Sequence, residues 1–364
     1  MTLEERLLEQ AYQLGFDLAG IASAQPSDQY VLYRAWLEAG YAGELAYLYK
    51  HAEARRDLSQ VYAQAQAVVM VALNYNPGPE APSGGLARYA RTADYHLVLR
   101  DRLKRLGSWL QEQVPEAWGR VCVDTAPLLE RDFARRAGLG WQAKNTMLIH
   151  PRLGSWFVLG ALLVNLPLKA SAPFTPRHCG TCTRCLDACP TGAFVAPQVL
   201  DARRCISTWT IELRRPLHDH EATQLHGWLF GCDICQEVCP WNRKAPHARL
   251  LLPRDDLVGL DPAELLTLDE AAFRARFEGT ALYPRPGRSV VLRNAALLLG
   301  QAGDPAALDV LRHAARESEP LIAGAAQWAI ARIEAKTSAR GIPSNQSAES
   351  SQEPSCNAEP TSTP

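Results

Sequence analysis

Four apolar stretches rich in β-branched residues predict strands in the first half of the chain. They are LAGIAS (18–23), AVVMVALNY (67–75), RVCVDT (120–125) and SWFVLGALLV (155–164). Between them, apolar residues at helical spacing predict helices over residues 95–114 and 128–138, the second ending at a glycine. We therefore expect residues 1–170 to form a mixed α/β domain.

The last part of the chain changes to helical patterns and then to a polar tail. Residues 288–335 contain three alanine- and leucine-rich segments with breaks between them, which resemble HEAT-like repeat units. We expect a HEAT-like helical module over residues 251–336. Residues 337–364 are rich in Ser, Pro and Glu and predict a disordered tail, which contains Cys356.

Composition and charge narrow the class of protein. Of the 364 residues, 47% are hydrophobic and 21% are charged, as in ordinary globular proteins, and the net charge of −1 indicates no general attraction to nucleic acid. No apolar run approaches the ~20 residues that span a bilayer, and the start of the chain has the pattern of an amphipathic helix. We expect a cytoplasmic protein without membrane contact, in which clustered cysteines serve metal binding or catalysis before disulfides.

A run of four cysteines predicts an iron–sulfur site. CGTCTRCLDACP has the spacing C-x2-C-x2-C-x3-C-P, with Cys179, Cys182, Cys185 and Cys189. In two-cluster ferredoxins the first three cysteines of such a run bind one 4Fe–4S cluster and the fourth binds the other. Zinc sites use separated pairs of cysteines instead, and zinc or a cluster of free thiols remains the alternative.

A second run, GCDICQEVCPW, repeats the last three positions but has Leu229 where its first cysteine should be. The crossed ligation rule assigns Cys239 to the first cluster, with Cys179, Cys182 and Cys185. The second cluster then takes Cys189, Cys232 and Cys235, and Cys205 is the nearby cysteine that completes it. Residues 206–231 become an insertion. The alternative for Cys205 is a buried structural cysteine. We expect a ferredoxin-like domain with two 4Fe–4S clusters over residues 171–250.

No cofactor fingerprint identifies the redox partner of these clusters. GLGWQA (138–143) matches the dinucleotide pattern G-x-G-x-x-A but follows a helix, whereas that loop must follow a strand. A phosphate-binding G-x-x-x-x-G-K-[ST] loop is absent from the sequence. The residues alone thus indicate an iron–sulfur redox protein with an α/β partner domain.

Several motifs together resemble one enzyme family. They are ARYARTADYH (87–96), VDTAPLLERDFARRAGLGWQAKNTMLI (123–149), GSWFVLGALLVNLPL (154–168), the cysteine run, RCISTWT (204–210), GCDICQEVCPWN (231–242) and RNAALLLG (293–300). The chain is similar to epoxyqueuosine reductases from residue 1 to about residue 335, and more generally to reductive dehalogenases.

This resemblance implies a fold, two cofactors and a reaction. The fold would be α+β, with a nitroreductase-like cobalamin-binding domain before the cluster domain, and base-off cobalamin would lie between them. The enzyme would be a monomer that reduces epoxyqueuosine to queuosine at the wobble position of tRNA, the final step of queuosine biosynthesis. An external low-potential electron donor would supply two electrons.

The resemblance assigns the proton donor to Asp124. The residue closes an apolar strand, and in α/β sheets the carboxyl ends of strands face ligand crevices. A buried carboxyl group there would have a raised pKa and hold a proton near neutral pH. The alternative is that Asp124 or Thr125 caps the helix that follows.

The resemblance also implies residues that contact cobalamin and tRNA. For cobalamin they are Arg55, Ala87, Asp124, Lys144, Leu148, Leu159 and Ser207. The alternatives are a solvated surface arginine and core leucines. For tRNA the candidates are basic clusters, namely Arg203–Arg204, Arg214–Arg215, Arg243–Lys244, Arg285, Arg288 and Arg293. The alternative for each is an ordinary solvated charge.

Two other functions fit the same motifs. One is a cobalamin-dependent reductase of a small molecule, of the dehalogenase type, which has no need of the C-terminal helical module. The other is a non-enzymatic iron–sulfur electron carrier or nucleic-acid-binding protein, which has no need of a large α/β domain.

Overall fold

The computed structural model describes residues 1–78 and 85–340. Its strands are β1 (Leu18–Ser23), β2 (Ala67–Asn74), β3 (Gly119–Cys122), β4 (Trp141–Gln142), β5 (Leu148–Ile149), β6 (Phe157–Val164), β7 (Phe194–Ala196) and β8 (Val199–Leu200). The helices before the insertion are α1 (Leu3–Gln13), α2 (Tyr30–Glu38), α3 (Ala46–Lys50), α4 (Ala52–Arg56), α5 (Tyr95–Gln113), α6 (Glu130–Arg136) and α7 (Arg184–Asp187). Those within and after the insertion are α8 (Ile206–Ile211), α9 (Asp219–Ala222), α10 (Ile234–Glu237), α11 (Pro262–Leu265), α12 (Glu270–Phe277), α13 (Arg288–Ala302), α14 (Leu308–Ala314) and α15 (Pro320–Arg340).

The main sheet has the order β1-β2-β6-β3, and every pair in it is antiparallel. The central strand β2 is buried along its whole length, so it has an apolar neighbour on both faces. Val69, Val71 and Leu73 face the core formed with α1 and α5, whereas Val68 and Met70 face the core that contains α6. This two-sided burial explains why β2 reads as a continuous apolar run without alternation.

All four predicted strands are present, but β3 ends three residues before its predicted end, and the sheet corrects one inference. Because neighbouring strands run in opposite directions, their carboxyl ends alternate between the two opposite ends of the sheet. They therefore define no shared crevice. The argument from parallel sheets for Asp124 therefore fails. Strand β3 ends at Cys122, and Asp124 lies in the following turn with φ +59°.

The C-terminal helices share one core with the insertion. Apolar residues of segment 206–230 and of helices α11–α15 form a single buried cluster. Two polar residues of α13, Arg293 and Asn294, are completely buried within it. Their side chains donate hydrogen bonds to main-chain carbonyl groups of the insertion, which are those of Trp209, Thr210, Leu213, Arg215 and Leu229.

Two predictions about the end of the chain and the membrane can be compared with the structure. Helix α15 continues to Arg340, so residues 337–340 are helical and the predicted tail begins too early. The Thr337 hydroxyl donates to the carbonyl of Ile333 one turn back. Residues 341–364, including Cys356, lie outside the described residues. Among the described helices, none is both long and apolar enough to cross a membrane.

Candidate functional site

The central segment contains eight free cysteines, which the predicted ligand sets divide into two groups. We call Cys179, Cys182, Cys185 and Cys239 the first thiol group, and Cys189, Cys205, Cys232 and Cys235 the second thiol group. Within the first, the pKa of Cys185 is raised by burial and then by the charges of the other three members. Within the second, the pKa of Cys232 is raised to about 12 by burial and then by Cys205 and Cys189. The pKa of Cys235 also responds to Cys185, so the two groups adjoin, and their division into two ligand sets stays a prediction.

The spacing of these thiols differs from that of a single-ion site. In the described ranges, no three Cys, His, Asp or Glu side chains converge closely enough to hold one metal ion. A tetrahedral zinc site would place sulfur atoms about 3.8 Å apart, from Zn–S bonds of about 2.3 Å. A cubane instead spreads its four thiolates over its corners.

Main-chain N–H groups point at several of the sulfur atoms. The amide of Ala193 lies 3.3 Å from Cys189 Sγ. The pKa of Cys205 is raised by burial and lowered in part by hydrogen bonds from the amides of Thr208 and Ser207. Such donors stabilise a negatively charged sulfur, so the donor set suits thiolates bound to iron.

The second cysteine run is fixed to the segment that follows residue 85. The Arg88 amide donates to the buried Asp233 carboxylate at 2.6 Å, and the Ala87 amide donates to the carbonyl of Phe230. Gly231 has φ +72°, and a Cβ atom there would lie 2.6 Å from the Cβ of Ala87. Burial raises the pKa of Asp233 to about 6. Only glycine fits this position without displacing Ala87.

The side chains around Asp124 form an accessible polar surface. We call this surface, formed by Tyr47, Asp124, Glu130 and Arg131, the recess. Arg131 is exposed, desolvation lowers its pKa, and the charges of Glu130, Asp124 and Cys235 oppose that shift. Tyr47 is 44% exposed, and desolvation and the charges of Glu212 and Asp124 raise its pKa to about 12. Arg131 donates to the carbonyl of Thr146, and the neighbouring Asn145 donates to the carbonyl of Cys235, so the recess adjoins the second thiol group.

Asp124 projects into this recess and is not a buried acid. Its side chain is 59% exposed, so the predicted burial is wrong. The alternative of a helix cap is wrong too, because α6 begins only at Glu130 and has no side-chain cap. The Asp124 amide donates to Glu130 Oε1 at 3.1 Å, which holds the turn with its positive φ. The carboxylate is accessible to a ligand.

His96, which sequence reasoning did not select, lies between two aspartates. Its Nε2 is 3.3 Å from Asp124 Oδ2, and its Nδ1 is 2.7 Å from Asp94 Oδ1. Burial lowers the pKa of His96, but the hydrogen bonds and charges of Asp124 and Asp94 outweigh burial and raise it to about 9. The available signal was Asp94-x-His96 at the start of a helical pattern, where Asp94 is the N-cap of α5.

Glu130 is a second acid that the sequence did not single out. It is half-buried, and desolvation together with the charge of Asp124 raises its pKa to about 7. The pair resembles other sites where neighbouring acids in different environments hold protons differently. Glu130 can therefore hold a proton near neutral pH, as the sequence analysis expected of Asp124.

The residues predicted to contact cobalamin have different environments. Arg55 is only 9% exposed and donates to the carbonyl of His51, so it is not a solvated surface arginine. Lys144 donates to the carbonyls of Gly180 and Cys182 at 2.8 and 3.0 Å and so fastens the first cysteine run. Leu148 and Leu159 pack in the core that contains α6, and Ser207 is half-exposed in α8.

The basic residues predicted to contact tRNA fall into two classes. Arg243 and Lys244 are exposed, and neither is paired with an acid in the part of the chain described. Arg215 is bound to Glu221 and Glu44, and Arg214 donates to the carbonyl of Pro286.

Two further candidates lie inside the protein. Arg293 is fully buried and satisfies carbonyl groups, so its assignment to phosphate binding is wrong. Arg288 is paired with Glu317, and its side chain is 10% exposed.

Comparison with known proteins gives consistent matches. A family model described as epoxyqueuosine reductase QueG matches residues 55–125, and a 4Fe-4S double cluster binding domain matches residues 178–242. The epoxyqueuosine reductase of Gloeobacter violaceus is 42% identical over 311 residues, which are 82% of this chain and 96% of that protein. The epoxyqueuosine reductase of Pseudomonas aeruginosa is 38% identical over 343 residues, 91% of this chain and 94% of that protein.

A solved structure extends the likeness to the fold. The crystal structure of epoxyqueuosine reductase with an epoxyqueuosine-modified tRNA-Tyr stem loop has 32% sequence identity and a TM-score of 0.82. The match covers 94% of this chain and 95% of that one. Sequence and fold therefore agree along nearly the whole length.

Proposed function

Since this chain belongs to the epoxyqueuosine reductase family, we propose that it reduces epoxyqueuosine to queuosine at the wobble position of tRNA. The epoxide takes up two electrons and two protons, and it becomes an alkene and water. The observation that carries the proposal is one juxtaposition, in which the Asp124–His96–Asp94 set lines a recess beside the second thiol group.

The two thiol groups would hold two 4Fe–4S clusters. Cys179, Cys182, Cys185 and Cys239 would bind the first cluster, and Cys189, Cys205, Cys232 and Cys235 the second. When bound, such clusters supply electrons one at a time at low potential. The residues support this assignment, since amide donors face the sulfur atoms and Cys185 and Cys235 lie close enough to influence each other.

Base-off cobalamin would occupy the recess. We propose that Leu159 and Ser207 line its site, with the buried Leu148 and Ala87 behind them, and that Arg55 lies at its rim, while Lys144 acts by fastening the adjoining cysteine loop. Cobalamin bound there supplies a low-potential cobalt centre for the reduction. The support from this structure is the position of the recess beside Cys235.

The chain's own acids would handle the protons. Asp124 Oδ2 is accessible, and we propose that it protonates the oxygen that leaves the epoxide. His96 Nε2 lies within hydrogen-bonding distance of the same oxygen, and its pKa of about 9 keeps the ring protonated at neutral pH. Once Asp124 has given up its proton, the protonated ring stabilises the carboxylate left behind and is a source of the second proton, while Asp94 holds the ring through Nδ1.

The tRNA would be bound by basic residues around the recess and cluster segment. Arg243 and Lys244 are the best placed for phosphate contact because they are exposed and unpaired among the described residues. Arg214 and Arg215 remain candidates, although each must give up present partners to bind phosphate. Exposed Arg285 influences the pKa of Tyr47, which places its charge near the recess.

The finer architecture follows from the same proposal. The sheet domain would be nitroreductase-like, the cysteine segment ferredoxin-like and helices α13–α15 a HEAT-like module. The enzyme would work as a monomer in the cytoplasm, where tRNA and an external low-potential electron donor are available.

The substitution Asp124→Asn tests this function. After anaerobic reconstitution, the variant should keep both clusters and bind cobalamin, yet convert an epoxyqueuosine-containing stem loop at least about 100-fold more slowly, because it lacks the acid. Asp101→Asn, which changes an exposed aspartate on α5, is the matched control. Turnover by the variant close to that of the wild type would remove Asp124 from the mechanism. A wild-type protein that reduces small epoxides or organohalides but not the stem loop would contradict the tRNA substrate.

A further inference from the structure

The surface over the first thiol group differs from the rest of the cysteine segment. Gly180, Thr181, Thr183 and Arg184 are all exposed there. Around the second cysteine run, by contrast, Gly231, Asp233 and Gln236 are buried. The run that carries Cys179, Cys182 and Cys185 is therefore nearer to solvent than the run that carries Cys232 and Cys235.

The groups form a sequence from this surface to the recess. Helix α7, which carries Cys185, packs against helix α10, which carries Cys235. The Asn145 side chain donates to the carbonyl of Cys235, and Arg131 of the recess donates to the carbonyl of the adjacent Thr146. Electron transfer slows steeply with distance. An electron that enters over the first thiol group can thus reach the recess through short steps.

Aromatic rings cover this entry point. Trp141 contacts Phe174, His178 and Trp241, with ring centroids 5.7, 4.9 and 5.0 Å apart. The same cluster includes Cys179 and Cys239. His178 is exposed, and Phe174 and Trp241 are half-buried, so the rings reach the surface. Aromatic and arginine side chains are enriched at protein–protein interfaces.

Two exposed arginines belong to the same segment. Arg184 directly precedes Cys185, Arg177 lies two residues before Cys179, and neither is paired with an acid within the described residues. Arg177 also lines a cavity of about 230 Å³ together with Trp141, Phe174 and Arg135. The exposed acids nearby are Asp28, in the same cavity, and Asp187, which accepts a hydrogen bond from Thr183.

We propose that this surface, the carrier face (Phe174, Arg177, His178, Arg184 and Trp241), docks an acidic one-electron carrier protein. The inference rests on the proposed function, because it requires clusters in both thiol groups. Two dockings serve each turnover. In each, one carrier molecule is oxidised by one electron, and the two electrons with two protons convert the epoxide to the alkene and water.

Charge complementarity selects this partner. A chain with a net charge of −1 has no general attraction for an acidic protein. The exposed arginines beside the first cysteine run would therefore steer such a partner to this face. Electron-transfer complexes are small and transient, and they depend on steering more than on buried area. Arg243 and Lys244, proposed above as phosphate contacts, are not part of this face. The substitutions used below to test it leave both residues unchanged.

The test compares a protein donor with a chemical one. The double substitution Arg177→Glu/Arg184→Glu is made in the full chain with both clusters reconstituted. The probe is an acidic bacterial flavodoxin, reduced beforehand, and the readout is the rate at which the clusters bleach in stopped flow. We expect the second-order rate constant to fall at least tenfold at low salt and to lose most of its salt dependence. Reduction by dithionite and the affinity for a tRNA stem loop should stay unchanged.

A control and the contrary outcomes are well defined. Lys104→Glu changes an exposed lysine on α5 and should leave the flavodoxin rate unaltered. An unchanged flavodoxin rate in the double variant would overturn the proposal. A loss of stem-loop affinity with an unchanged flavodoxin rate would assign the face to RNA. Because cluster bleaching needs no epoxyqueuosine, the result stands apart from the success or failure of the proposed reaction.

Discussion

The two cysteine runs have the same local geometry but different support. In each, a four-residue helix carries the cysteine at the third position of the motif, which is Cys185 in α7 and Cys235 in α10. The residue before the helix is Thr183 in the first run and Asp233 in the second. The Thr183 hydroxyl bonds to Asp187 within its own run, whereas the Asp233 carboxylate accepts a hydrogen bond from the amide of Arg88, far away in sequence.

This difference separates a self-contained motif from one that depends on the fold. The first run has exposed surroundings and is fastened chiefly by Lys144. The second is buried and enclosed by segment 85–91 and helix α13. Residues 206–231 separate it from Cys205. Substitutions in the first run should act locally, whereas substitutions in the second should disturb the packing of distant segments.

The largest expected effect comes from Cys205→Ala. The variant should retain the first cluster and lose the second, so iron falls from about eight to about four atoms per chain and turnover is lost. Anaerobic reconstitution followed by iron analysis measures this. Cys122→Ala, which removes the thiol of β3 outside both groups, is the control and should keep all the iron. About eight iron atoms in the Cys205 variant would mean that the ligand set is wrong.

Two glycine substitutions should have a smaller effect and compare the two runs directly. In Gly231→Ala, the left-handed backbone should lower the free energy of unfolding by about 1–2 kcal/mol. The contact of 2.6 Å between the new Cβ and Ala87 should lower it by about 1–3 kcal/mol more. Gly180→Ala in the first run has φ +47° but no atom within 4 Å of the new Cβ, so only the backbone contribution applies. Urea unfolding of both reconstituted variants should show the larger loss for Gly231. Equal losses would mean that segment 85–91 does not constrain the second run.

The smallest expected effect concerns pH. The pKa of Glu130 is about 7 in the folded protein against an ordinary value of 4.5, so the unfolded state releases its proton first. Folding stability should therefore fall as pH rises from 4.5 to 7. Each pKa unit corresponds to ~1.4 kcal/mol, and partial exposure reduces the total to about 1–2 kcal/mol.

The substitution Glu130→Gln isolates this contribution. The variant should lose that decline, as measured by unfolding at several pH values. Asp187→Asn, in the exposed first run, is the matched control. A decline that survives in the Glu130 variant would assign it to other groups.

The sequence predicted what depends on local pattern. The four strands of the main sheet were predictable because their apolar runs are long and rich in β-branched residues. The first cysteine run was recognisable because its ligands are contiguous. Cys205 emerged only by counting thiols, since residues 206–231 separate it from its partners.

What depends on tertiary contact was not predictable. The antiparallel order of the sheet overturned the argument from strand ends, and the exposure of Asp124 overturned the argument from burial. His96 was missed because its importance comes from its approach to Asp124, across 28 residues of sequence. Arg293 looked like a surface cation because sequence alone does not reveal the carbonyl groups that surround it.

The buried pair Arg293 and Asn294 also imposes an order of assembly. These side chains provide the hydrogen bonds that main-chain carbonyls of residues 209–229 need in a buried environment. During synthesis the ribosome delivers α13 after every cysteine of both groups. The first run can accordingly take its shape while the chain is still emerging. Both thiol groups, however, include cysteines of the second run, which is enclosed only once α13 is present. Complete loading of either cluster is in this way timed to the synthesis of helix α13.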